Sequence, residues 1–234
     1  MTKPFHYSKK NALAYQNLAI DSTSYEAPYR EAEWILGDLK GKRYLDFGCG
    51  TGRSSAFLLQ LNAMEVIAAD HNENMIRQAV SLHAGQSITF HLIKDSLPVA
   101  PASLDGAFSS YVFMEMNSLS DIEHFMQEIG KGLKPGAPFV ILVTNPDSAF
   151  GHDYVSFKYK DAKELKSGDQ TPVTIKGPDP FTITDYYWTE SDYRLALQTA
   201  GFDIKTVTFP KPARGEWLDE MFVPPSMVIS AKKK

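Results

Sequence analysis

Between residues 44 and 144 short runs of β-branched and aromatic residues alternate with segments whose apolar positions recur at helical spacing. The pattern predicts strands at 44–47, 66–70, 88–93, 104–110 and 138–144, the last being the most hydrophobic. Helices are predicted between them. One covers 54–61, with Phe57, Leu58 and Leu61 on one face, and one runs from the Asn72 cap to about residue 83. A third opens at Ser120-Asp121-Ile122-Glu123, which has the capping-box spacing, and reaches about residue 131. Lys134-Pro135-Gly136 then turns the chain into its hydrophobic strand. Near the end, Thr189-Glu190-Ser191-Asp192 caps a helix that stops at Gly201, and strands follow at 203–209 and 227–231. Alternation of this kind predicts an α/β fold, a doubly wound, mostly parallel sheet of seven strands.

Two regions fall outside the alternation. Residues 1–40 hold one or two amphipathic helices, one of them at 29–39, and read as an N-terminal cap. Residues 145–188, after the fifth strand, are rich in aromatics, among them Tyr154, Phe157, Tyr159, Phe181, Tyr186, Tyr187 and Trp188. Long connections in compact domains tend to be lids or binding segments, and in α/β folds they cover the carboxyl ends of the strands. The expected organisation is one domain: cap 1–40, ligand-binding core 41–144, substrate lid 145–188, and the rest of the core 189–234.

Composition narrows the function. The 234 residues carry a formal charge of −4, without the basic surplus that phosphate contacts demand, which argues against a nucleic-acid partner. The first residues lack an apolar leader core and no apolar run approaches membrane-spanning length, so a cytoplasmic protein with no membrane contact is expected. A single cysteine, Cys49, excludes an intrachain disulfide, and the six histidines lack metal spacing, so no metal is expected. Monomer and homodimer both stay open.

The most informative segment is Asp46-Phe47-Gly48-Cys49-Gly50-Thr51-Gly52, a strand, a glycine loop and a helix start. Glycines at alternate positions let backbone turn sharply and approach a ligand closely. The spacing is neither the G-x-G-x-x-G of dinucleotide sites nor a phosphate loop, which needs Gly-Lys followed by Ser or Thr. Arg53 occupies the next position instead. A carboxylate at Asp46 suits a cationic ligand group, such as an amino-acid ammonium, better than a phosphate.

On these residues the chain resembles the class I methyltransferases that use S-adenosylmethionine, in the group acting on small molecules. The resemblance is close over 43–144 and holds in outline over 189–231. It implies a Rossmann-like methyltransferase fold, with S-adenosyl-L-methionine as donor and S-adenosyl-L-homocysteine as product. Asp46, Gly48, Gly50, Thr51 and Gly52 correspond to the family's first motif. Asp70, ending the second strand, would bind both ribose hydroxyls. His71 and Met75 would flank the adenine, and Asp95 and Ser96 would meet its amino group. The backbone of Ser109, Ser110 and Tyr111, with Ser110 foremost, would face the methionine part. Tyr15 resembles a tyrosine that closes over the donor, and Arg30 would pair with its carboxylate.

The expected function is transfer of the methyl group to an O or N atom of a small metabolite by direct displacement. Methylation of RNA or protein, or donor binding without turnover, are the alternatives. Candidate catalytic residues are His152, beside Asp153, and Tyr186 and Tyr187, with Trp188 adjoining them. Asn145-Pro146 lies after the wrong strand to be the motif of DNA amino-group methylation and reads as a turn.

Overall fold

The computed structural model describes residues 7–20, 23–94, 96–213, 215 and 217–234. Two helices, α1 (Lys9–Gln16) and α2 (Glu26–Leu36), precede the alternating region. There follow β1 (Arg43–Phe47), α3 (Arg53–Gln60), β2 (Glu65–Asp70), α4 (Glu73–Leu82), β3 (Ile88–Leu92), β4 (Gly106–Ser110), α5 (Leu119–Gly132) and β5 (Pro138–Thr144). After these come β6 (Phe157–Tyr159), β7 (Gln170–Ile175), β8 (Phe181–Tyr186), α6 (Glu190–Thr199), β9 (Phe202–Thr208) and β10 (Ser226–Lys233).

Seven strands form one sheet in the order β3-β2-β1-β4-β5-β10-β9. The first five run parallel, and β10 lies antiparallel between β5 and β9. Residues Phe139, Val140, Ile141, Leu142 and Val143 of β5 are fully buried, as a strand covered on both faces requires. α2 packs on β5 and β10, α3 on β1, β2 and β4, α4 on β2 and β3, and α6 on β9 and α5. Among the described residues no helix is long and apolar enough to cross a membrane.

Several boundaries differ from the sequence reading, three of them for a clear local reason. The cap of α5 is Ser118, whose Oγ accepts from the Asp121 amide at 3.1 Å, because Ser120 already lies inside the helix. α2 begins before residue 29 and ends at Gly37 (φ 61°). Leu39 is buried by the next turn, its amide donating to the Leu61 carbonyl at 2.7 Å, which is why the apolar spacing runs on past the helix. The stretch at 104–110 becomes strand only from Gly106, Leu104 forming an isolated bridge with Leu133.

The larger difference concerns residues 145–188, which hold an antiparallel three-stranded sheet, β6-β7-β8. β7 shows strict alternation, with Thr171, Val173 and Ile175 buried and the residues between them exposed. This sheet is tied to the core at several points. The Trp188 indole donates to the Met116 carbonyl at 2.9 Å. Ser24 and Ser156 exchange amide-to-hydroxyl bonds, each 3.0 Å, and the Ser24 hydroxyl also donates to the fully buried Glu220 at 2.8 Å. The segment before α2, the inserted sheet and the chain before β10 therefore share one buried polar knot.

Gly106 opens β4 against Tyr44, where an added Cβ would lie 2.3 Å from the ring of that fully buried tyrosine. Gly106→Ala is therefore expected to lower stability by about 1–3 kcal/mol, the usual cost of overpacking, as measured by urea denaturation.

Candidate active site

The strand order reverses between β1 and β4, and in open α/β sheets such a reversal leaves a crevice at the carboxyl ends of the strands. The loop leaving β1 enters it with Gly48, Gly50 and Gly52 at φ 73°, 53° and 89°, conformations that favour glycine. A Cβ on Gly48 would lie 2.1 Å from Val112, so the backbone passes the chain after β4 with no space to spare. The Gly48 and Cys49 amides both donate to the Ala69 carbonyl, at 2.7 and 3.1 Å. The Gly50 amide donates to Asp70 Oδ2 at 2.9 Å and the Asn72 amide to Oδ1 at 2.7 Å. Each Asp70 oxygen keeps further acceptor capacity. Burial raises the Asp70 carboxyl above its usual range, opposed by His71 and by these amides.

Three adjoining spaces of decreasing size follow from this loop, a large, a middle and a small one. Gly48, Asp70, His71 and Val112 border both the large and the middle space, whereas Tyr7, Tyr15 and Tyr111 border both the middle and the small one. Glu115 borders all three.

Most residues expected around the donor meet here. Tyr15, Gly48, Gly50, Asp70, His71, Met75 and Ser110 line the middle space. Thr51 and Gly52 lie behind it and turn the loop into α3, with the Thr51 carbonyl 3.2 Å from His83 Nε2. Asp46 is fully buried below the loop, and Ser54 and Ser55 donate to its Oδ2 at 2.7 and 2.5 Å. It holds the first turn of α3, while Ser54 reaches the cavity. Ser96 is exposed beyond β3, next to a stretch whose Ile93 and Lys94 line the large space, and Asp95 lies outside the described residues. Arg30 pairs with Glu26 one helical turn away and does not border the three spaces.

The cation that does reach the middle space is Arg53, cited in the sequence only to exclude a phosphate loop. Its guanidinium donates to the Tyr15 hydroxyl at 3.2 Å and the Leu18 carbonyl at 3.1 Å, and stands 5.0 Å from the ring centres of both Tyr15 and Tyr25. Cys49 is buried, and burial pushes its thiol well up, which removes it as a nucleophile. Tyr111 takes φ 58°, rare for a tyrosine. Its amide bonds the Leu142 carbonyl at 2.8 Å, its hydroxyl lies 2.6 Å from Ser226 Oγ, and its ring meets Tyr25 edge-on at 5.2 Å. Such strain persists only where surroundings over-determine it, and functional sites are where it collects.

The candidate catalytic residues do not line these three spaces. His152 Nδ1 is 3.2 Å from Asp219, while Asp153 pairs with Lys158 and Lys176, so the two neighbours face different partners. Tyr186, Tyr187 and Trp188 line a further cavity with Thr171 and Tyr193, and Thr144 and Tyr159 border both it and the small space. The small space instead carries Asp185 and Glu115, which the sequence reading passed over. Glu115 accepts from the Tyr7 hydroxyl at 2.7 Å, and Asp185 Oδ2 from the Tyr159 hydroxyl at 2.5 Å. Burial pushes the Asp185 carboxyl up to about 7, against the Tyr159 bond, which lowers it. A signal existed: Phe181, Ile183 and Asp185 alternate along one strand, so the carboxylate occupies an inward position.

A glycine loop bolted to the end of β2, with a carboxylate at its edge and a seven-stranded sheet reversed at β1 and β4, defines the class I methyltransferase architecture. Residues 45–136 match the family model of the methyltransferase domain. The chain is 31% identical over 214 residues to an N-demethylindolmycin N-methyltransferase of Streptomyces griseus, covering 88% of each protein. It is likewise 31% identical over 118 residues to an O-methyltransferase of Aspergillus sclerotiorum, covering 48% of this chain and 43% of that one. In structure it is similar to an S-adenosylmethionine-dependent methyltransferase of Mesorhizobium loti, with TM-score 0.68 and 22% identity over 92% of this chain and all (100%) of the other. The chain belongs to the S-adenosylmethionine-dependent methyltransferases.

Burial raises the Asp46 carboxyl to about 7, against the bonds from Ser55 and Ser54, and its Oδ1 has no partner among the described residues. The folded state thus holds this proton more tightly than the unfolded chain, whose Asp titrates near 4, so the group's contribution to stability declines as pH rises from about 4 to about 7. Asp46→Asn removes that decline. The stability difference, variant minus parent, should grow by a few kcal/mol across this window and level off above it, as followed by denaturation at stepped pH. A difference flat with pH would place the titration elsewhere.

Proposed function

We propose that this methyltransferase transfers the methyl group of S-adenosylmethionine to a nitrogen or oxygen of a small molecule seated in the small space. The observation that carries the reading is the shared wall of Tyr7, Tyr15, Tyr111 and Glu115 between the donor side and a chamber whose lining residues are all buried or half-buried. A polymer needs an open groove; a chamber of this kind takes a discrete molecule. The two relatives, one an N-methyltransferase and one an O-methyltransferase, agree with it.

The residues present fit the donor. Gly48 lines the middle space, where the lack of a side chain lets its backbone approach a ligand closely. Asp70 would take the ribose hydroxyls with the lone pairs its two amide donors leave over, and Met75 and His71 would flank the base. Arg53, rather than Arg30, would meet the carboxylate of the methionine part, since it already stands in the middle space with donors to spare. Ser110 and Tyr15 would border the same part. The bound sulfonium supplies an electrophilic methyl group. What the chain supplies is alignment and exclusion of water, and well-oriented approach alone is worth about 7–11 kcal/mol.

The direct test is incubation of the protein with methyl-labelled donor and metabolite extracts, followed by identification of labelled small molecules. Asp70→Asn should weaken donor binding by about 10- to 100-fold, the worth of hydrogen bonds to a charged group. Arg53→Met should lower affinity for S-adenosylhomocysteine about tenfold while leaving 5′-methylthioadenosine, which lacks the carboxylate, unaffected. Equal losses for both ligands would remove Arg53 from the carboxylate.

A further inference from the structure

The small space has an unusual charge balance. Its walls are aromatic and aliphatic, with Tyr25, Tyr111, Phe157 and Tyr159 among them, yet it holds two carboxyl groups. Among the described residues no Lys, Arg or His lines it. Arg53 stands beyond Tyr15 and Tyr25, bonded to Tyr15 and to the Leu18 carbonyl. Asp185 is 2% exposed, and its Oδ1 has no hydrogen-bond partner among the described residues. An unpartnered buried carboxylate oxygen is costly and calls for a donor from outside the chain.

Resting on the methyltransferase reading above, we propose that the acceptor is an amine on an aromatic or apolar body, and that Asp185 is a catalytic residue that binds its ammonium group and takes a proton from it. The four rings add attraction for a cation and cover an apolar body. A phenol is disfavoured by the same geometry, because loss of its proton to Asp185 would leave a phenolate beside Glu115, a second acid. An ammonium is stabilised by both acids.

The step balances as follows. The ammonium gives one proton to Asp185 Oδ1 and regains its lone pair. That pair forms the new N–C bond as the methyl–sulfur bond breaks, its electrons passing to sulfur, which becomes a neutral thioether. The product is an N-methylated ammonium, still facing Glu115, and the proton on Asp185 passes to solvent as the product leaves.

The test uses the full chain saturated with S-adenosylhomocysteine, titrated calorimetrically with benzylamine, 2-phenylethylamine and tryptamine, and with 2-phenylethanol and 4-ethylphenol as neutral counterparts. The expected result is an amine preference of at least about tenfold, abolished in Asp185→Asn and retained in Asp185→Glu, with S-adenosylhomocysteine affinity unchanged in both. Preference for the alcohol or phenol, no binding of any amine, or an amine preference surviving in Asp185→Asn would overturn the proposal. Should Asp185→Asn not fold, the wild-type ranking decides alone. Failure of the parent protein to bind S-adenosylhomocysteine would instead sink the donor-site reading, so the two failures are separable.

Discussion

Everything in the cleft depends on the fastening of the glycine loop to the end of β2. Two successive amides of the loop converge on the Ala69 carbonyl and a third reaches the Asp70 carboxylate. These bonds require left-handed backbone at Gly48 and Gly50, and they bring the loop against Val112 with no space for a Cβ. The same bonds orient Asp70. Its carboxylate is held from one side by protein amides, so its free lone pairs face the cavity it borders. Loop geometry and the orientation of Asp70 toward the cavity thus share one interaction.

A second constraint runs through the inner part of the site. Three carboxyl groups, Asp46, Glu115 and Asp185, have their acidity weakened by burial, and each is restrained by hydroxyl groups instead of a cation. Ser54 and Ser55 serve Asp46, Tyr7 serves Glu115, and Tyr159 serves Asp185. Hydroxyls satisfy one oxygen without cancelling the charge. Asp46 is buried beneath α3 and lines none of the three spaces, whereas Glu115 and Asp185 line the small one. What distinguishes Asp46 from Glu115 and Asp185 is therefore access to a cavity, since the three acidities shift in the same direction.

The donor half was legible because local rules determine it. Left-handed glycines, a strand ending in Asp70 and the Asn72 cap are short-range features, and their order along the chain carries the β1–β2 half of the cleft. The acceptor half depends on contacts between residues distant in sequence. Tyr7 meets Glu115, Ser24 meets Ser156 and Glu220, and Trp188 meets Met116; no periodicity encodes such pairs. Where a local signal did exist it was masked by aromatic and glycine content, as with the alternation in β7 and β8 that makes 145–188 a sheet. Arg53 illustrates the same limit. At the first turn of a helix a cation opposes the macrodipole, and long-range contacts with Tyr15, Tyr25 and the Leu18 carbonyl hold it there.

Tyr111 joins the two halves. It directly follows β4, at the reversal of strand order, where the family fold leaves its crevice. Its left-handed backbone is held by β5 through Leu142 and by β10 through Ser226, and its ring by Tyr25 of the N-terminal segment. With that backbone it borders both the middle and the small space. A relaxed β conformation would carry the ring along the strand direction and change the wall between them. The strain is thus a property of the wall between the two spaces: one of its residues is gripped at once by β5, by β10 and by the N-terminal segment.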